Sequence, residues 1–175
     1  GLTDRRKDEL RLFNKPVATP ERLLQDLAYY HKYIKEHPNK FINEYDSTIT
    51  TFAKAKAKAK NVGITCVVPL RWALADMKIV GAHGKSLISA PNGSFKDYYA
   101  GDVVKYFKRI TSGGPVGLTV SEAYAKGLLK PGDIVSYSGH THTSVYKEKT
   151  NFYEGGGSCV VDGHYPKGIL LDYSL

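Results

Sequence analysis

Cys66-Val-Val-Pro-Leu-Arg-Trp-Ala-Leu-Ala-Asp-Met77 is the stretch on which the reading of this chain turns. Leu70, Ala73, Leu74 and Met77 recur at helical spacing, which predicts a helix that buries one face. Pro69 has no N–H and fits a helix only in its first turn, so the helix is expected to open at Cys66. A thiol at that end sits among unpaired backbone N–H groups and the positive end of the helix dipole, surroundings that favour an anion and suit a thiolate nucleophile. Trp72, on the same helix, reads as core or as the wall of a groove, and is the first candidate substrate contact.

Upstream, Asn61-Val-Gly-Ile-Thr65 interrupts a preceding segment, Thr51-Phe-Ala-Lys-Ala-Lys-Ala-Lys-Ala-Lys60. That segment alternates like a strand, but Ala and Lys are strong helix formers and a helix is predicted. Further back, Thr19 precedes Pro20 and an amphipathic run to Ile34, the signature of a capped helix. Residues 1–49 are therefore expected to form an N-terminal helical extension and residues 50–175 the main domain.

Downstream, residues 80–117 are rich in glycine and read as loops, apart from helical spacing over Tyr99–Ile110. Thr119-Val-Ser-Glu122 is a capping box for a short helix ending near Gly127. The period then changes from helical to alternating. Asp133–Ser138, Thr141–Tyr146, Asn151–Glu154, Ser158–Asp162 and Gly168–Tyr173 are short β-rich runs between turn residues. Helices followed by strands predict an α+β fold, with the Cys66 helix packed on a small antiparallel sheet.

Composition bounds what such a domain can be. Its 175 residues, 42% hydrophobic, suffice for one core. Two cysteines exclude a disulfide-rich scaffold, and Cys159, in the apolar run Ser158-Cys-Val-Val, reads as a small buried hydrophobe. No apolar run reaches the roughly 18–20 residues of a membrane span, and no leader is visible. Neither cysteine has a second ligand at metal-binding spacing, so no metal and no cofactor are expected. The net charge of +8 fits a polyanionic partner. No zinc spacing, RNA-binding signature or recognition helix accompanies it, which argues against nucleic acid.

A thiol nucleophile needs a base. His142 lies 76 residues after Cys66 in a predicted strand, and if Lys147-Glu-Lys149 is a hairpin loop it faces Glu154 across the ladder. Cys66, His142 and Glu154 would then be nucleophile, base and orienting carboxylate. His140 competes with His142, since both leave the strand on one side, and Asp162 is a weaker substitute for Glu154. His164 is either a groove residue or a surface one. His31, His37 and His83 have no partner at useful spacing and read as packing or surface residues.

Three motifs carry a family resemblance: Gly63-Ile-Thr-Cys-Val-Val-Pro-Leu-Arg-Trp-Ala-Leu74, Leu129-Lys-Pro-Gly-Asp-Ile-Val-Ser-Tyr137 and His142-Thr-Ser-Val-Tyr146. Their order and spacing resemble the NlpC/P60 cysteine peptidases, papain-like enzymes related to the CHAP amidases. The resemblance covers about residues 50–165 and marks 50–175 as an NlpC/P60-like catalytic domain. It implies hydrolysis of amide bonds in peptidoglycan peptides, as endopeptidase or amidase, with peptidoglycan and other anionic wall polymers as partners and an extracellular or wall-associated location. It also implies catalytic Cys66, His142 and Glu154; Trp72, His140 and His164 are the candidate substrate contacts. Around the nucleophile this chain has Thr65-Cys-Val-Val where the family usually has Asp-Cys-Ser-Gly. Two other readings are a papain-like thiol amidase or acyltransferase with a non-wall substrate, and an inactive wall-binding module.

Overall fold

The computed structural model describes residues 3–7, 18–78, 93, 108–109, 120–137, 142–149, 151–156, 159–163 and 170–174. Residues 3–7 form a helical turn, α1. The amphipathic helix α2 spans Pro20–Glu36; the Thr19 hydroxyl accepts from the Arg22 N–H at 3.1 Å, and Pro20 occupies the first turn. Leu23, Leu27, Tyr30 and Ile34 form its buried stripe. The Ala/Lys segment is helical, as its propensities predict, but only over Phe52–Ala57, α3, capped by Thr51. Two short strands, β1 (Phe41–Ile42) and β2 (Val62–Gly63), pair in parallel and lead the chain towards Cys66. Helix α4 follows over Val68–Asp76.

Helix α5, Val120–Ala125, forms where the capping box predicts one, and Gly127 stops it in the left-handed region at φ 67°. The helix read over Tyr99–Ile110 lies mostly outside the described residues. At its end Lys108–Arg109 form a strand, β3, so those two residues correct the helical reading: their backbone pairs with a strand near the C-terminus instead.

The remaining strands are β4 (Ile134–Tyr137), β5 (Thr143–Glu148), β6 (Asn151–Gly156), β7 (Cys159–Gly163) and β8 (Leu170–Ser174), close to the five β-rich runs. They form one antiparallel sheet in the order β3-β8-β4-β5-β6-β7. The architecture is α+β. Alternation along the strands divides the apolar residues between two clusters. Ile134, Val145 and Tyr153 join α2, α3 and α4, whereas Val135, Tyr146 and Phe152 join Ala123 and Leu129.

The helical lead-in is built into the first of these clusters. Leu23, Leu27, Tyr30, Ile34 and Phe41 share one core with Phe52, Val62, Ile64, Trp72 and the sheet, and β1 pairs with β2 across position 50.

Gly132 seats the start of α2 against the turn before β4. Its φ is +91°, and an added Cβ would lie 2.6 Å from Pro20 Cβ. Gly132→Ala combines a strained backbone with overpacking, each costing on the order of 1–3 kcal/mol. The expected result is a loss of about 3 kcal/mol in urea unfolding; an unchanged midpoint would refute the close approach.

Candidate active site

Cys66 is delivered by a constrained run of backbone. Val62 N–H donates to Lys40 C=O and Ile64 N–H to Ile42 C=O, each at 2.9 Å, so the chain enters the site tied to β1. A turn follows in which Val68 N–H donates to Thr65 C=O at 3.1 Å. Helical bonding opens with Arg71 N–H to Val67 C=O at 2.9 Å, and Val67 is the N-cap, with no side-chain cap bond. The expectation that Cys66 is the first helical residue is thus corrected: it lies in the turn just before the cap. The reason is twofold: Pro69 has no N–H for the Thr65 carbonyl, and the Cys66 carbonyl is engaged by a distant strand.

That engagement is with the sheet. Gly155 N–H of β6 donates to the Cys66 carbonyl at 3.1 Å, so the turn is hydrogen-bonded to the strand that carries Glu154. The approach leaves no room for a side chain: a Cβ on Gly155 would collide with Thr65 O and lie 3.2 Å from Pro69 Cδ.

His142, immediately before β5, places Nε2 3.0 Å from Glu154 Oε2. The register that brings them together differs from the expected one. Val145 pairs with Tyr153 and Tyr146 with Phe152; the hairpin closes at Glu148/Asn151, with Lys149 at φ 51° and a bulge between Tyr146 and Glu148. The turn is tighter than a Lys147–Lys149 loop, so pairing is offset by two residues. Continued along β5, it sets Ser144 opposite Glu154, and His142 reaches the carboxylate diagonally. An offset of two keeps side chains on the same side of a strand, which is why the contact survives.

The imidazole lies between a thiol and a carboxylate. Hydrogen bonding to Cys66, then to Glu154, raises the His142 pKa to about 9, with both negative charges adding to the rise and burial opposing it. With Nε2 committed to Glu154, Nδ1 is the nitrogen left for the thiol. Cys66 is a free, partly exposed cysteine, whereas Glu154 is buried. A small crevice beside them is lined by Leu27, Pro69, Leu70, Thr143, Ser144 and Tyr153.

Such an arrangement has the parts for nucleophilic chemistry: a thiol that can lose its proton, an imidazole that can hold it, and a carboxylate that orients the ring. Among the described residues no group of three His, Cys, Asp or Glu is placed to hold a metal ion, and no helix is long and apolar enough to cross a membrane.

Trp72 is corrected from substrate contact to core. It is fully buried, its indole N–H donates to Ile49 C=O at 2.8 Å, and its ring packs against Tyr30 and Phe52. The helix is buried on more than its apolar stripe, and the large ring is taken inward. His140, His164 and His83 lie outside the described residues. Cys159 and Asp162 lie on β7, opposite Gly156 and Tyr153. His31 is buried against Tyr153, and His37 stacks on Tyr33 with centroids 4.0 Å apart. A separate groove of about 500 Å³, lined by Tyr29, Tyr33, His37, Lys32 and Lys56 among others, contains no thiol.

Gly155 is the site residue that the sequence conceals. Its neighbours Gly156 and Gly157 make the run look like a plain loop, and nothing in it signals an approach to the distant Thr65.

No protein-family model matches the chain, and no curated protein matches it. Among solved structures, the P60 domain of an antigen from M. avium subspecies paratuberculosis is similar over 89% of this chain and 96% of that one. The sequence identity is 11% and the TM-score 0.47.

Proposed function

We propose that this chain is a cysteine hydrolase of the NlpC/P60 type, with a papain-like fold, that cleaves amide bonds in the peptides of bacterial cell-wall peptidoglycan. The observation that carries the chemistry is the placement of His142 between Cys66 and Glu154. The substrate class comes from the motif resemblance around Cys66, Asp133 and His142, and the net charge of +8 suits an anionic wall.

In this reading the Cys66 thiolate attacks the amide carbonyl carbon while His142 carries the thiol's proton. The tetrahedral intermediate collapses as the C–N bond breaks and the imidazolium gives its proton to the departing amine, leaving a thioester. Neutral His142 then takes a proton from water as the water attacks the thioester. The C–S bond breaks, the acid is released, and the imidazolium–thiolate pair is restored. Glu154 holds the ring at Nε2 through both halves, and the Cys66 N–H helps to hold the oxyanion. An extracellular or wall-associated location follows from the substrate.

The test is mass spectrometry of fragments released from purified walls, with small acyl donors as a parallel substrate panel. New amino termini in stem peptides, present with the intact chain, absent with Cys66→Ala and insensitive to chelator, are expected. Equal release by both proteins would overturn the reading, and turnover confined to the small acyl donors would move it to a non-wall thiol amidase.

A further inference from the structure

Adjacent residues of β6 hold the two reacting residues by different routes. Glu154 uses its side chain, 3.0 Å from His142 Nε2, and Gly155 uses its backbone N–H, 3.1 Å from the Cys66 carbonyl. We infer that Glu154-Gly155 is one positioning unit, which sets the distance between nucleophile and base by holding both from a single rigid peptide. The inference rests on reading Cys66 and His142 as a nucleophile–base pair, and on nothing about the substrate.

Three features support it. The β5–β6 pairing begins at Val145/Tyr153, so beyond that point β6 is free to bond elsewhere, and Gly155 gives its N–H to the cysteine turn. The other edge of this segment is tied down, with Glu154 opposite Val161 and Gly155 opposite Val160 in β7. Finally, Gly155 has an ordinary backbone φ, unlike Gly127 and Gly132, so backbone freedom is not what it contributes. What it contributes is space, since any Cβ there would drive the Thr65-Cys66 turn off the strand. Gly155 is a positioning residue: it acts through Cys66 and touches no reacting atom.

The experiment compares intact chain, Gly155→Ala and Gly132→Ala by NMR titration of the His142 ring and by iodoacetamide labelling of Cys66. Gly132→Ala places a similar clash at Pro20 and controls for lost stability. In Gly155→Ala the His142 midpoint is expected to fall by at least about one pH unit, and labelling near neutral pH to slow by about tenfold, as the thiol leaves the imidazole. Gly132→Ala should leave both readouts in place. A Gly155→Ala protein that keeps the intact midpoint and labelling rate overturns the proposal, as does an equal shift in Gly132→Ala. If Gly155→Ala does not fold, amide exchange in the intact chain decides: a slowly exchanging Gly155 N–H supports the clamp, and an open one removes it. An intact chain whose His142 titrates at its ordinary value overturns the pair itself, a result independent of any wall assay.

Discussion

The His142 imidazole is expected to lose its proton near pH 9, and in Cys66→Ala its titration midpoint should fall towards the ordinary value of 6.5. The larger cause of the raised value is the hydrogen bond to Cys66, and the second is that to Glu154, so Glu154→Gln should lower the midpoint as well, by less. A group whose folded pKa is raised stabilises the fold fully below the unfolded value; here that contribution is present below about pH 6.5 and is lost as pH rises through about 9. Urea midpoints measured from pH 6 to 10 should therefore decline more steeply for the intact chain than for Cys66→Ala. Parallel curves, or a His142 midpoint near 6.5 in the intact chain, would dismantle the thiol–imidazole–carboxylate arrangement.

Trp72→Ala is expected to cost about 3–5 kcal/mol, because a fully buried indole is replaced by a methyl group in a packed core. The ring touches helices from both sides of position 50, Tyr30 in α2 and Phe52 in α3, so its loss should weaken the lead-in and the site helix together. Trp72→Phe separates the hydrogen bond from the packing. It keeps an aromatic ring but leaves the Ile49 carbonyl without its indole donor, a loss of about 1–3 kcal/mol. Equilibrium urea unfolding measures both. A loss below about 1 kcal/mol for Trp72→Ala would place the side chain in a groove rather than in the core.

Much of this was open to reading from the chain because its signals are local. Thr19-Pro20, the Ala/Lys run and the turn residues after Gly127 each act within a few positions, and α2, α3 and β4–β8 lie where they point. Cys66, His142 and Glu154 emerged from order, spacing and a two-residue side-chain period, and a register offset of two left that period intact. An offset of one would have turned Glu154 to the other side of the sheet. The start of α4 departs from its local signals because one carbonyl there has a distant partner: the Cys66 C=O belongs to Gly155, 89 positions away.

The alternation of apolar residues and the caps thus determined, without reference to any distant residue, that this chain makes helices first and an antiparallel sheet afterwards, with a thiol near the start of one helix and an imidazole and a carboxylate in or beside the strands. Only the tertiary structure decided that Trp72 turns inward, that residues 18–49 share the main core, and that Gly155 must lack a side chain. Those outcomes depend on which surfaces meet, and close packing between segments far apart in sequence leaves no periodic trace in either one.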